Sequence, residues 1–203
     1  MKSLAHPEAN VTGVSGRTEF EVHGKRLEIF KEVVPSLRRL AVLYNARGEN
    51  PGHAKSLALV KKVAPDIGVK LVERPIKSTS DLDRVLSVVS KDTTDGLFVI
   101  CATLFRDPFK EIAAVAIQKK LALMGCYTDE TEKGALLSYD ANRYRIGHRS
   151  AWYVDRILKG TKPQDLPVEA PTYFDLVINL KTAKQIGLTI PQSVLYRADK
   201  VIK

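Results

Sequence analysis

LAVLYNARGENPGHAKSLALVKKVA (residues 40–64) holds a complete strand-to-helix unit. Leu40 to Tyr44 is a short β-rich run, and Asn45 ends it. Asn50 and Pro51 follow at the N-cap and first-turn positions of a helix. The asparagine side chain can accept a backbone N–H there, and proline lacks a donor that the first turn leaves unpaired anyway. Leu57, Val60 and Ala64 then recur at helical spacing.

The same alternation continues outward from this unit. Val69 to Arg74 predicts a second strand. Its helix is expected to start at Ser80, with Asp83 three residues on in a variant of the capping box, and Leu82, Val85, Leu86 and Val89 form its apolar face. Gly96 to Cys101 is nearly continuous in apolar residues, as a strand buried on both faces should be. Asp107 and Pro108 open a helix carrying Ile112, Val115 and Ala116, and Leu121 to Tyr127 predicts a fourth strand. Short apolar strands alternating with amphipathic helices predict an α/β fold with a doubly wound parallel sheet. Beyond it, Gly134 to Tyr139 reads as extended. A long helix is expected from Asn142 to Lys159, stopped by Gly160 and Pro163. Phe174 to Ile178 reads as a further strand, and Thr182 to Ile186 as a short helix.

Composition narrows the function classes. With 44% hydrophobic and 27% charged residues in 203, the chain can bury a core without metal or disulfide help, and disordered, collagen-like and transmembrane classes are excluded. The net charge of +9 raises the question of nucleic acid. However, Arg38-Arg39, Lys61-Lys62 and Lys119-Lys120 are scattered doublets at element ends, not a basic stripe with interleaved aromatics, so no nucleic acid is expected as a partner. Met1-Lys2-Ser3-Leu4 meets His6, Pro7 and Glu8 before an apolar region develops, so no signal peptide is expected in this stretch. Cys101 and Cys126 fall near predicted strand ends, where buried free thiols are the expectation.

Catalytic signatures fail at defined positions. Gly13-Val14-Ser15-Gly16 lacks the glycine spacing of a nucleophile elbow, since Arg17 stands there. Gly24-Lys25 is followed by Arg26, and Glu19 occupies the first-glycine position of a Walker loop. His6, His23, His53 and His148 are not at metal-ligand spacing, so no metal or cofactor is expected. Asp129, Glu130 and Glu132 read as a solvated surface loop. In parallel α/β sheets ligands bind outside the carboxyl ends of strands. Asn45, Asn50, Thr103 and Tyr127 fall there, where each serves equally well as a ligand contact or as a capping or turn residue.

Four segments resemble a known family, the ABC-type substrate-binding proteins of the periplasmic-binding-protein type I fold. They are SLAHPEANVTGVSG (3–16), KRLEIFKEVVPSLRRLAVLYN (25–45), GALLSYD (134–140) with Tyr144 and Gly147, and LKGTKPQDLPVEAPTYFDLVINLKTAKQIGLTIPQSVL (158–195) preceded by Tyr153. The resemblance implies that residues 1–16 end a first lobe, 17–133 form a second α/β lobe, 134–167 cross back as a helix of the first lobe, and 168–203 return to the second. It further implies that an export signal and most of a first lobe, on the order of a hundred residues, precede this stretch in family members.

Members bind a small solute between two lobes, several of them an amino acid, without catalysis. They deliver it to an ABC permease from a periplasmic or cell-envelope location. By resemblance, Ser15, Asn45, Asn50, Thr103, Tyr127, Tyr139 and Tyr144 are the candidates for lining the cleft. Tyr139 and Tyr144 would stack on a planar ligand, and Ser15 and Asn45 would satisfy its polar groups. Asp140 replaces the family's glycine after Ser-Tyr, and Ala102-Thr103-Leu104-Phe105 departs from the commoner Asp-containing loop. Both departures bear on the identity of the ligand. The effector domain of a transcriptional regulator and an enzyme on a doubly wound sheet are the alternatives. By resemblance the Asn142–Lys159 helix packs against the first lobe of family members. Because it carries Tyr144, Ala151, Trp152, Val154, Ile157 and Leu158, the chain by itself is expected to pair these helices in a homodimer or to leave the segment locally disordered.

Overall fold

The computed structural model describes residues 5, 7, 10–15, 22–48 and 50–203. In chain order the elements are β1 (Gly13–Val14), α1 (Val22–Val33), β2 (Arg39–Asn45), α2 (Pro51–Asp66), β3 (Lys70–Ile76) and α3 (Thr79–Val88). They continue with β4 (Gly96–Val99), α4 (Phe109–Gln118), β5 (Ala122–Gly125), α5 (Thr128–Glu132), β6 (Leu137–Ala141) and α6 (Arg143–Leu158). The last are β7 (Val168–Glu169), β8 (Phe174–Asn179), α7 (Leu180–Ile186), α8 (Gln192–Leu195) and β9 (Lys200–Ile202). The chain divides into two compact units. One comprises residues 1–19 and 140–175, the other 20–139 and 176–203.

The larger unit is built on a seven-stranded sheet in the order β3-β2-β4-β5-β6-β8-β9. The pairs β2–β3, β2–β4, β4–β5, β5–β6 and β8–β9 are parallel, as the strand–helix alternation predicts. Successive residues of a strand face opposite sides of the sheet, and β2 shows the result. Leu40 and Val42 enter one core with Leu27, Phe30, Leu57, Val60 and Ala183 from α1, α2 and α7. Ala41 and Leu43 enter the other with Leu82, Leu86, Ile112 and Ala113 from α3 and α4. Both faces are covered at the central strands, so the buried stretches of β2, β4 and β5 read as unbroken apolar runs, whereas β3 (Lys70–Ile76) carries Glu73 and Arg74. At Gly96 the sheet leaves no room for a side chain, since a Cβ would stand 2.9 Å from the Ala122 carbonyl oxygen and 3.1 Å from the Phe30 ring.

Local signals explain most boundaries. Asn50 caps α2 by accepting the Gly52 N–H at 2.8 Å, and Asn142 caps α6 by accepting that of Arg145 at 2.8 Å. The cap of α3 differs from expectation. Ser78, not Ser80, holds the extended cap conformation and accepts the Asp81 N–H at 3.2 Å, while the Asp81 carboxylate accepts the Ser78 N–H. Ser80 lies in the first turn, with its hydroxyl on that of Ser78 at 2.9 Å. The segment holding Asp129, Glu130 and Glu132 is also not a solvated loop. It is the short helix α5, and Glu130 is 1% exposed.

The cysteines are not free thiols. Cys101 and Cys126 form a disulfide, with Cα atoms 5.5 Å apart, within the 4.4–6.8 Å span that such a bridge requires. Neighbouring parallel strands β4 and β5 end just before these two residues, and that pairing brings them together.

The smaller unit contains α6 and a two-stranded parallel sheet, β1 on β7, with Gly13 opposite Val168. The Thr12 hydroxyl donates to the carbonyls of Leu166 and Pro167 at 2.9 and 3.0 Å. The Arg149 guanidinium holds both Glu169 carboxylate oxygens at 2.8 and 2.6 Å. Among the described residues, no helix is long and apolar enough to cross a membrane.

Candidate functional site

The strand order defines a candidate position for a site. From β2 the chain moves to β3 on one side and then to β4 on the other. The connections therefore diverge between β2 and β4, and in open α/β sheets ligands bind at such a switch point, outside the carboxyl ends of the strands. Asn45 closes β2, and Thr103 follows β4 in a single 3₁₀ turn over Thr103–Phe105. With β2 and β4 parallel and Leu43 opposite Val99, both residues lie at the same rim. Asn50 sits there too, at the start of α2.

Each of these residues also has a local duty. The Asn45 side-chain oxygen accepts the Arg47 N–H at 2.9 Å, and that of Asn50 accepts the Gly52 N–H and so serves α2. Thr103 is exposed. Tyr127 follows β5, and the Arg106 guanidinium lies over its ring at 4.4 Å from the centroid. Arg106 also donates to Asp129 at 2.9 Å, which ties the β4–α4 loop to the start of α5. Tyr139 lies one residue beyond the Gly125–Ser138 pair, half-buried against the core, and burial pushes its hydroxyl above the usual tyrosine range.

The remaining two candidates lie in the smaller unit. The Ser15 N–H donates to the Glu169 carbonyl at 2.8 Å and extends the β1–β7 ladder. Tyr144, in the first turn of α6, is 82% exposed. It borders a cavity of about 570 Å³ within that unit, together with Arg145, Arg149, Glu169 and Tyr173.

Beneath the rim of the larger unit is a buried polar group absent from the sequence-derived candidates. Arg26, with no exposed surface, reaches from α1 to the ends of β4 and β5. It donates to the carbonyls of Val99 at 3.2 Å and Gly125 at 2.6 Å, and to Cys101 Sγ at 3.4 Å. Its guanidinium also stands 4.8 Å from the centre of the Phe98 ring. A further donation goes to His23 Nδ1 at 2.8 Å, which fixes that imidazole as neutral with its proton on Nε2. Burial first, then the charges of Arg26 and His53, hold His23 well below the usual histidine range. Glu130 accepts the N–H groups of Cys126 at 2.6 Å and Tyr127 at 3.2 Å. Its burial raises its pKa, while those N–H groups, Arg26 and Arg106 pull the other way. One signal for Arg26 is legible in retrospect: it falls on the inward stripe His23, Leu27, Phe30, Val33, where a cation needs buried acceptors.

A family model, "ABC transporter substrate binding protein", matches residues 1–202. The chain belongs to that family. It is 24% identical over 189 residues to a tyrosine-binding protein of Clostridioides difficile, covering 93% of this chain and 53% of the relative. It therefore spans about half the length of that curated relative. Among solved structures, the ABC domain in complex with L-Trp from Streptococcus pneumonia is 26% identical, with a TM-score of 0.82 over 100% of this chain and 68% of the other. A conserved domain protein from Vibrio cholerae is 31% identical, with a TM-score of 0.80 over 99% and 66%.

Proposed function

We propose that this chain is the solute-binding part of an ABC import component. It takes up a small amino acid, aromatic by preference, in the interlobe cleft of the whole protein and delivers it to a membrane permease from a periplasmic or cell-envelope location. The observation that carries the reading is the switch-point rim, where Asn45 closes β2, Asn50 caps α2, and Thr103 and Tyr127 follow β4 and β5 at the carboxyl ends of the sheet. An amino acid needs N–H donors for its carboxylate. The Asn45 and Asn50 side-chain amides are donors of that kind at the rim, the Thr103 hydroxyl adds an O–H donor, and the tyrosines offer aromatic surface to a planar side chain. The named ligands of two relatives, tyrosine and L-Trp, agree with this chemistry. No step of bond making is assigned to the rim, in keeping with a family of solute-binding proteins.

Calorimetric titration of the whole protein with L-tryptophan, L-tyrosine, L-phenylalanine, arabinose and galactose tests the proposal. Binding of at least one aromatic amino acid is expected, weakened tenfold or more by Asn45→Ala or Thr103→Val. Binding of a sugar alone, or unchanged affinity in both variants, overturns it.

A further inference from the structure

Three links join the loops that carry Thr103 and Tyr127. The Cys101–Cys126 disulfide sits two residues before Thr103 and immediately before Tyr127. Arg106 bridges from the first loop to the Tyr127 ring and to Asp129. Arg26 holds the last carbonyls of β4 and β5 from below. Of the three, the disulfide alone is covalent, and it alone depends on the compartment. Beyond Val99 and Gly125 the strands no longer pair, so no ladder hydrogen bonds between β4 and β5 fix the separation of the two loops there.

We infer that the Cys101–Cys126 disulfide is a positioning element of the solute-binding rim, and that the rim reaches its binding geometry only after oxidation, in the compartment where the receptor works. This deepens the proposed function and rests on it for the identity of the ligand. The chemistry is thiol–disulfide exchange with a disulfide-bearing oxidant. Cys101, half-buried with the Arg26 guanidinium at 3.4 Å, is the more accessible sulfur, since Cys126 is 2% exposed. A positive charge beside a thiolate favours that form. The Cys101 thiolate attacks the oxidant's disulfide to give a mixed disulfide. Cys126, losing its proton, then attacks Cys101 Sγ and expels the oxidant's second thiol. Two electrons and two protons pass to the oxidant, which leaves as a dithiol. In the reducing cytosol the pair stays open, and a chain awaiting export binds its solute weakly.

The test uses the whole protein, purified oxidised and then treated with a phosphine reductant, beside the variants Cys101→Ala and Cys101→Ser/Cys126→Ser. Peptide mapping under denaturing conditions should find Cys101 linked to Cys126 before reduction and both as thiols after it. Hydrogen exchange should quicken at least tenfold in residues 101–106 and 126–131 on reduction, with the β2 amides unchanged, a pattern that general destabilisation would not give. The Kd for L-tryptophan or L-tyrosine should rise at least tenfold in the reduced protein and in any variant that folds. Free thiols in the oxidised protein, exchange that is unchanged or raised evenly through the sheet, or a Kd within twofold of the oxidised value overturns the inference. If neither amino acid binds the oxidised protein, the proposed ligand class fails, and the exchange pattern still decides whether the bridge positions the rim.

Discussion

Replacing Arg26 with methionine keeps a long side chain on α1 but removes the buried charge that joins α1 to the ends of β4 and β5. The carbonyls of Val99 and Gly125 lose donors at 3.2 and 2.6 Å, and each buried acceptor left unpaired costs about 1–3 kcal/mol. Glu130, 1% exposed, loses the nearby cation that favours its ionised form. Two orphaned carbonyls alone suggest a loss of about 2–6 kcal/mol, and breaking a buried charge arrangement typically costs about 3–5 kcal/mol. A destabilisation of about 3–5 kcal/mol is therefore expected, against a total of about 5–15 kcal/mol for a typical domain. With a urea dependence near 2 kcal/mol per molar, the unfolding midpoint of the whole protein should fall by roughly 2 M. Glu130→Gln in the Arg26→Met background should recover about 1 kcal/mol or more relative to additivity, because the neutral amide no longer asks for a counter-charge. Equilibrium unfolding monitored by far-UV circular dichroism measures all three variants. A loss below about 1 kcal/mol for Arg26→Met, or strict additivity in the pair, would show that Arg26 does not hold the rim.

The acid dependence of stability should carry the mark of His23. Its folded pKa is depressed, so the unfolded chain takes up a proton near the ordinary value of about 6.5 that the native imidazole refuses. The stabilising contribution is complete well above that value and declines as pH falls below it. Stability should therefore fall between roughly pH 7.5 and 5.5, and His23→Gln should flatten that slope in urea titrations at the two pH values. Gly96→Ala puts a methyl group 2.9 Å from the Ala122 carbonyl oxygen and should cost about 1–3 kcal/mol; an unchanged melting temperature would mean that the β4–β5 contact is loose. Helix α6 leaves Tyr144 and Leu158 each 82% exposed, so the 203-residue chain alone is expected to self-associate in light scattering and to become monomeric on Leu158→Glu. A monomeric parent chain would refute that expectation.

Sequence by itself determined the elements whose signals are local. Asn50-Pro51 and Asn142 mark helix starts because a side-chain oxygen can reach a backbone N–H two or three residues ahead. The run Gly96 to Cys101, which holds β4, marks a strand covered on both faces because its residues are nearly all apolar. Asn45, Thr103 and Tyr127 were legible as rim positions for the same reason, since each follows a readable strand end. Ser78 against Ser80 shows where such reading stops: both hydroxyls are available, and only the extended backbone of Ser78 selects it as the cap.

The tertiary structure alone decided what depends on distant partners. Cys101 and Cys126 are 25 residues apart in the chain, and whether they pair follows from β4 lying beside β5, which no local pattern specifies. Glu130 shares a run of carboxylates with two neighbours, yet it alone turns inward to the N–H groups of Cys126 and Tyr127. Arg26 becomes tolerable in a core because strands separated from it by 73 and 99 residues end with their carbonyls facing it. A charge is buried only where such acceptors converge, and their convergence is set by strand order, a property of the whole sheet.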